Sequence, residues 1–445
     1  MGNLFGMVGT NDMSANRTVG SWREGIIMIE PNGDAMLTAI QAASKKAKPM
    51  IGTLHTWFER QRETDFVEPT AVYSNQALSS VYTPGAGVAG AIVYFKLPSE
   101  NDADAFRVYD RVVMGVGNDI SQDENGQVVA VEKNGASSYV AIKLDTDDDA
   151  TGAFTNLTIV ASSFSEGSSR PEAMSTTPRE FQTRSQIIKE AIEMTRTEMT
   201  ISKRKGIRTG DAWAQAEDDA LIRWGARLDR TALWERLSTG TGANRQRKST
   251  MLGIRDFLQT YHLEADGVTA IGDGNAGQLS NIFNPIVDTD YAGQTWAEYG
   301  GDWLTKLIRI LKRYGAGWGE LLVLAGDEFF ADVEKLALTS GQFTLAEAQE
   351  GYGIDLRKWI TNNGTVYLHN YAAFNHNPRY RKAALWYYPK ACQYMYVDDV
   401  DLKDGKTDPT IDGDAKQWVG ECCFEWASPW LFGISYNSGM DSTVQ

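Results

Sequence analysis

At 445 residues the chain can bury a large core and is expected to divide into two or three structural units. A formal net charge of −15 repels polyanions, which argues against a dedicated DNA- or RNA-binding protein and leaves room only for local basic patches. The three cysteines, Cys392, Cys422 and Cys423, contain no C-x-x-C, which argues against a disulfide framework and a thiolate zinc site.

In chain order, the N-terminal stretch "MGNLFGMVGTNDMSANRTVG" lacks the basic and apolar regions of a secretory signal. Gly6 stands where a myristoylation signal wants Ser or Thr. No apolar run reaches the roughly 18 residues that span a bilayer, so a soluble protein made in the cytosol is expected. "GDAMLTAIQAASKKA" places Met36, Ile40 and Ala43 at helical spacing. "HTWFERQRETDFVEPT" follows as an extended aromatic and charged segment that needs a neighbour to lie on.

From about 80 to 165 the pattern is β. "AIVYFKL", "FRVYDRVVMGV", "QVVAVEK", "SYVAIKL" and "LTIVA" are short and rich in β-branched and aromatic residues. Asn134-Gly135 signals a hairpin turn and Asn125-Gly126 another, because these residue types tolerate positive φ. The flanks "PSENDADA", "SQDEN" and "DTDDDATG" are acidic and predict a negative outer surface. The last has Asp145, Asp147 and Asp149 alternating, yet Ala150 and Asn156 stand where an EF-hand needs Gly and Glu.

From about 185 the period changes, through Ile187, Ile188, Ile192, Met194 and Met199 to the basic run "KRKGIR". A long helix is then expected over 211–237, capped by Thr209 or Asp211 and stopped by Gly240 and Gly242. Trp213, Ala216, Ala220, Trp224, Leu228 and Ala232 form its apolar face, and Asp218, Asp219, Arg223, Arg227, Arg230 and Arg236 the opposite one. The remainder mixes helices ("GGDWLTKLIRILKRYG", "DEFFADVEKLALTSG") with strands ("ELLVLAG", "TVYLHN", "AALWYYP", "CQYMYV", "ECCFEW") and a polar loop, "DLKDGKTDPTIDGD". This order fits no doubly wound sheet and no repeat.

Chemical motifs are sparse. "GDGNAG" (272–277) has the G-x-G-x-x-G spacing, but Pro285 arrives too soon for a crossover helix, so a surface loop in place of a dinucleotide site is expected. The histidines, at 55, 262, 369 and 376, are scattered. No G-x-S-x-G, H-E-x-x-H or P-loop occurs, and no catalytic, metal or cofactor residue is assigned. What remains is architectural: an arm, a projecting β element, a strut and a compact mixed domain, parts suited to a subunit that interlocks with its own copies.

Three stretches carry a resemblance: "LTIVASSFSEGSSRPEA", the helix with "RLDRTALWERL" followed by Gly253-Ile254, and "TIDGDAKQWVGECCFEWASPWLFGIS". In their order and spacing the chain resembles a tailed-bacteriophage major capsid protein of the Hong Kong 97 (HK-97) fold, in the SU-ten-like branch. Thr231 and Ala232 depart from that family's tendency to place an acidic residue a helical step after Asp229-Arg230. The resemblance implies an α+β, HK-97-like fold. It would have an N-terminal arm at 1–70, a β-rich extended loop at 71–170 and a peripheral domain at 171–249 with the spine helix at 211–237. An axial domain at 250–385 and peripheral-domain strands with a C-terminal segment at 386–445 would complete it.

It further implies a non-enzymatic protein that assembles as hexamers and pentamers into an icosahedral shell around double-stranded DNA, held without sequence specificity. Portal, scaffold and decoration or cement proteins would be partners, and assembly would take place in the host bacterial cytoplasm. An uncleaved arm is expected from the Met1 start. The readings weighed beside it are an encapsulin-like compartment, a nucleotide-dependent enzyme using 272–277, and another virion component such as a tail or fibre subunit. As inter-subunit contacts, Asp102, Asp104, Asp147 and Asp148 are expected to face Lys203, Arg204 and Lys205 of another copy, with Arg223, Arg227, Asp229 and Arg230 as further candidates.

Overall fold

The computed structural model describes residues 47–60, 66–117, 119–168, 178–200, 212–262, 281–313, 315, 317–340, 345–351, 354–361, 364–404 and 412–443. The chain forms two compact units: Thr56–Gln182 with Tyr261–Gly274, and Met1–His55 with Thr183–Thr260 and Asn275–Gln445. The expected arm helix at 33–47 and the 272–277 glycine loop lie outside the described residues, apart from Ala47.

The smaller unit is built on seven antiparallel strands. Their order is Phe66–Val67, Asn156–Ser162, Asp110–Gly115, Glu124–Glu132, Tyr139–Leu144, Ile92–Lys96 and Ala71–Tyr73. Alternation puts Val93, Phe95 and Leu97, then Val112, Met114 and Val116, then Ile142 and Leu144, on one face. Ala103, the last residue of the short helix Glu100–Ala103, and Phe106 just beyond it join Ala150 and Phe154 in the same core. Each fully buried large side chain there contributes about 1.5–3 kcal/mol. The smaller unit therefore has its own core.

Of the two expected turns, one is absent and the other closes a hairpin through a longer loop. Asn125-Gly126 lies inside the strand Glu124–Glu132, with Gly126 opposite Val112 and Leu144. A Cβ on Gly126 would meet Ile142 Cγ2 at 2.4 Å and the Lys143 carbonyl at 2.8 Å, so this glycine serves close strand packing. At Asn134-Gly135 the strands join through a 3₁₀ turn, Gly135–Ser137. There only Gly135 has positive φ, at 52°, while Asn134 sits at −148°, so the turn is longer than a two-residue hairpin.

The larger unit holds two large sheets besides a two-stranded one. One has four strands in the order Lys48–Pro49, Cys392–Asp404, Gly413–Trp426 and Gln186–Thr195. The other has seven, in the order Ile282–Phe283, Phe432–Ser435, Ala384–Tyr387, Leu321–Ala325, Gly364–Asn370, Ile354–Thr361 and Leu345–Gly351. Gln186–Thr195 is thus a strand, and helical spacing begins later than expected. Ile188, Glu190 and Ile192 are buried and their neighbours exposed, the period of two that marks a half-covered strand.

The long helix runs Ala212–Trp234, about 34 Å at ~1.5 Å per residue. Ala220, Trp224, Leu228 and Ala232 are buried as expected, together with Ala226 and Leu233. The helix rests on the four-stranded sheet: Trp224 Nε1 donates to the Ile188 carbonyl at 3.1 Å, and Trp418 Nε1 donates to the Glu217 carbonyl at 3.0 Å. It ends before the expected glycines, which form part of a hairpin of Ser238–Thr241 with Arg247–Thr250. Asp256 takes the Leu237 N–H at 2.9 Å just beyond that end.

Helix Trp296–Arg313 turns Tyr299, Trp303, Leu304, Leu307, Ile308 and Leu311 inward. Glu298 reaches back to the Thr295 N–H at 2.8 Å, as in a capping box. The last described residues strap this helix: Asp441 accepts from the Trp296 N–H at 3.0 Å, and Tyr299 donates to the Met440 carbonyl at 2.5 Å.

Candidate functional site

The strand Gln186–Thr195 and the helix above it bring cations and one buried acid together. Period-two alternation aims Glu190 under the helix, where Arg223 Nε donates to Oε1 at 3.0 Å. Arg227 Nη1 stands 2.7 Å from Oε2 as an ion pair and donates to the Lys189 carbonyl at 3.3 Å. Both arginines are about half exposed, so solvent screens the pair.

Beside this network lies an open groove of about 470 Å³. It is lined by Gln186, Ile187, Ile188 and Lys189 of the strand and Arg227, Arg230 and Thr231 of the helix. Of the candidates expected from sequence, Arg223, Arg227 and Arg230 are therefore gathered here. Glu190, Lys189 and Ile187 were not anticipated; the period of two through Ile188, Glu190 and Ile192 is the signal that carries them.

Two expected contact residues are buried within their own units. Asp229, fully buried, accepts from Tyr371 Oη at 3.0 Å. Ala226, Ala232 and Leu233, one turn away on either side, are buried too, so Asp229 lies on the packed side of the helix against buried Tyr371. Asp148, 3% exposed, accepts from Tyr82 Oη at 2.5 Å, from the Gly85 N–H at 2.9 Å and from the Ala150 N–H at 2.9 Å. Burial, then the Asp148 hydrogen bond, pushes the Tyr82 phenol up from its ordinary value.

The remaining acids occupy opposite ends of the smaller unit, because Ile92–Lys96 and Tyr139–Leu144 run antiparallel. At one end Asp102 accepts from the Ser99 N–H at 3.0 Å, and exposed Asp104 pairs with Lys133 at 2.5 Å. At the other, exposed Asp147 accepts from the Ala89 N–H at 2.7 Å, and Asp145 pairs with Arg111. Lys203, Arg204 and Lys205 lie outside the described residues.

Among the described residues no group of three or more His, Cys, Asp or Glu is placed to hold a metal. His55 Nε2 is 2.8 Å from Glu425 Oε2. All three cysteines are buried and unbridged, and burial pushes the Cys422 thiol up to about 12. Among the described residues no helix is long and apolar enough to cross a membrane.

A family model described as SU10 major capsid protein matches residues 8–437. No curated protein matches the chain. Among solved structures, the chain is similar to the capsid of cyanophage P-SCSP1u, with 8% identity and a TM-score of 0.37 over 62% of this chain and 80% of that one. It is similar to the holo-SrpI encapsulin complex from Synechococcus elongatus, with 10% identity and a TM-score of 0.37 over 59% and 76% of the two chains. It is also similar to the procapsid of satellite phage P4, with 13% identity and a TM-score of 0.33 over 65% and 86%. These scores are too low to bear on function; the family match is what bears on it.

Proposed function

Because the chain belongs to the SU10 major capsid protein family, we propose that its copies close as hexamers and pentamers into an icosahedral shell around double-stranded DNA. The protein is a structural component of a phage capsid, its fold is the α+β, HK-97-like one, and it assembles with itself. The observation that carries the reading is the extent of the family match, residues 8–437.

In this proposal the smaller unit takes the role of the extended loop, the helix Ala212–Trp234 that of the spine, and the seven-stranded sheet of the larger unit that of the axial domain. A negative charge of −15 keeps the wall from adhering to packaged DNA, which would be held without sequence preference. Assembly in the host cytoplasm, and portal, scaffold or decoration partners, belong to the same proposal. So do contacts of exposed Asp104 and Asp147, and of Asp102, with Lys203, Arg204 and Lys205 of another copy.

Shell stability of this kind comes from many repeated weak contacts. Purified full-length chain should form closed shells or capsomers in negative stain. Small monodisperse oligomers at every concentration would sink the reading. Shells that load a companion enzyme in place of DNA would shift it to an encapsulin-like compartment.

A further inference from the structure

A chain with a net charge of −15 holds a long stretch of the opposite sign. Residues 236–255 contain Arg236, Arg245, Arg247, Lys248 and Arg255 and not one Asp or Glu. At their centre is the hairpin of Ser238–Thr241 with Arg247–Thr250, in which Thr241 faces Arg247 and Gly240 faces Lys248. No residue from Ser238 to Lys248 is buried. Apart from Ala243 and the glycines, every side chain there is a hydroxyl, an amide or a cation.

A two-stranded hairpin is marginal by itself, and this one is fixed at its base. Ser249 Oγ donates to the Ser185 carbonyl at 2.6 Å, and Ser238 Oγ lies 2.8 Å from Thr250 Oγ1. Arg247 Nη2 donates to Glu421 at 2.6 Å and Arg236 Nε to Asp256 at 3.4 Å, so these two cations are neutralised within the unit. Arg245 and Lys248 are exposed, and no described residue forms an ion pair with either. Arg245 has φ of 59°, uncommon outside glycine. Its N–H donates to the Gly242 carbonyl at 2.9 Å, and the Gly242 N–H donates to the Gln246 carbonyl at 2.8 Å, which closes the tip around it. Gln186, whose Oε1 accepts the Met251 N–H at 2.9 Å at the hairpin's foot, also lines the groove of about 470 Å³, where Lys189 and Arg230 continue the positive surface.

Such a surface has almost no apolar area for a protein partner to bury. It has what a phosphodiester backbone takes: cations with hydroxyl, amide and backbone donors beside them. We propose that the hairpin 238–250 is a phosphate-backbone contact for double-stranded DNA, made by Arg245 and Lys248 and indifferent to base sequence. The two cations hold a duplex at a discrete point while the acidic remainder of the chain repels it. The proposal rests on the shell-forming reading for the source of the DNA, and adds to it the residues that meet the duplex.

The test measures binding of the unassembled full-length chain to two fluorescein-labelled duplexes of unrelated sequence, each of about 20 base pairs, from about 0.05 to 1 M salt. Equal affinity for both duplexes is expected, with log K falling linearly against log salt. Arg245→Asn with Lys248→Gln should lower that slope by about 1.8, two contacts at ~0.9 each, which is roughly 60-fold in affinity at 0.1 M salt relative to 1 M. Asn tolerates the left-handed backbone at 245, so melting should stay unchanged. Arg309→Gln with Arg313→Gln removes the same charge from exposed positions on the helix Trp296–Arg313 and should leave the slope as it was. Absence of duplex binding at low salt, an unchanged slope in the hairpin variant, or an equal fall in both variants overturns the proposal. So does a poly-glutamate peptide that binds through Arg245 and Lys248 while the duplexes do not, which would assign the hairpin to an acidic protein segment. Shell formation is read separately in negative stain: shells that fail to form beside the expected slopes remove the shell reading and leave the hairpin contact standing.

Discussion

Gly439→Ala is expected to loosen the C-terminal strap from the helix it secures. Gly439 has φ of 72°, and a Cβ there would lie 2.2–2.3 Å from the carboxylate atoms of Asp332. Asp332 is itself buried, accepts from Ser438 Oγ at 3.2 Å, and stands 3.3 Å from Lys335 Nζ and 3.7 Å from Lys382 Nζ. The left-handed backbone costs an alanine roughly 1–2 kcal/mol. Displacing a buried carboxylate from its partners costs roughly another 1–3 kcal/mol. Gly293 separates the two effects, because its φ is 74° and nothing lies within 4 Å of its Cβ position. Gly293→Ala should therefore show only the backbone cost. At about 2 °C per kcal/mol for a unit of this size, Gly439→Ala should melt roughly 2–6 °C below Gly293→Ala. Hydrogen exchange should quicken at Tyr436–Thr443 and at Trp296, whose N–H is held by Asp441. Equal melting shifts for the two variants, or unchanged exchange at Trp296, would refute the steric argument.

Three further outcomes follow from the packing. Burial raises the Cys422 thiol to about 12 and raises Cys423 too, from an ordinary 9.0, so their neutral forms stabilise the fold fully below pH 9 and lose that effect as pH climbs towards the folded value. Thiol alkylation of native protein should be negligible at pH 8, with stability falling above pH 9; prompt labelling of Cys422 in folded protein at pH 8 would contradict this. Gly126→Ala should destabilise the smaller unit by roughly 1–3 kcal/mol through overpacking against Ile142, with faster exchange in Tyr139–Leu144; a neutral effect would return this glycine to a turn. Glu190→Ala should cost only about 1 kcal/mol, because Arg223 and Arg227 can turn to water, and high salt should shrink the difference measured by urea unfolding.

Much of the architecture was legible in residue periodicity. The strand Ile92–Lys96, the amphipathic helix Trp296–Arg313 and the buried strand Leu321–Ala325 lie where their patterns put them. The long helix was legible from its Trp and Ala spacing, but its end was not, because Asp256, distant in sequence, receives the N–H of Leu237.

The sequence by itself determined element type wherever one period ran unbroken, and determined the overall negative charge, since both depend on residues near in the chain or on a simple sum. Only the tertiary structure decided which charged residues face water. Asp229 and Asp148 read as surface acids until Tyr371 and Tyr82 are brought against them from 142 and 66 residues away. Only it decided that Gln186–Thr195 is outermost among the described strands of its sheet, since a strand's own pattern records which face is buried and not whether a neighbour lies on each side.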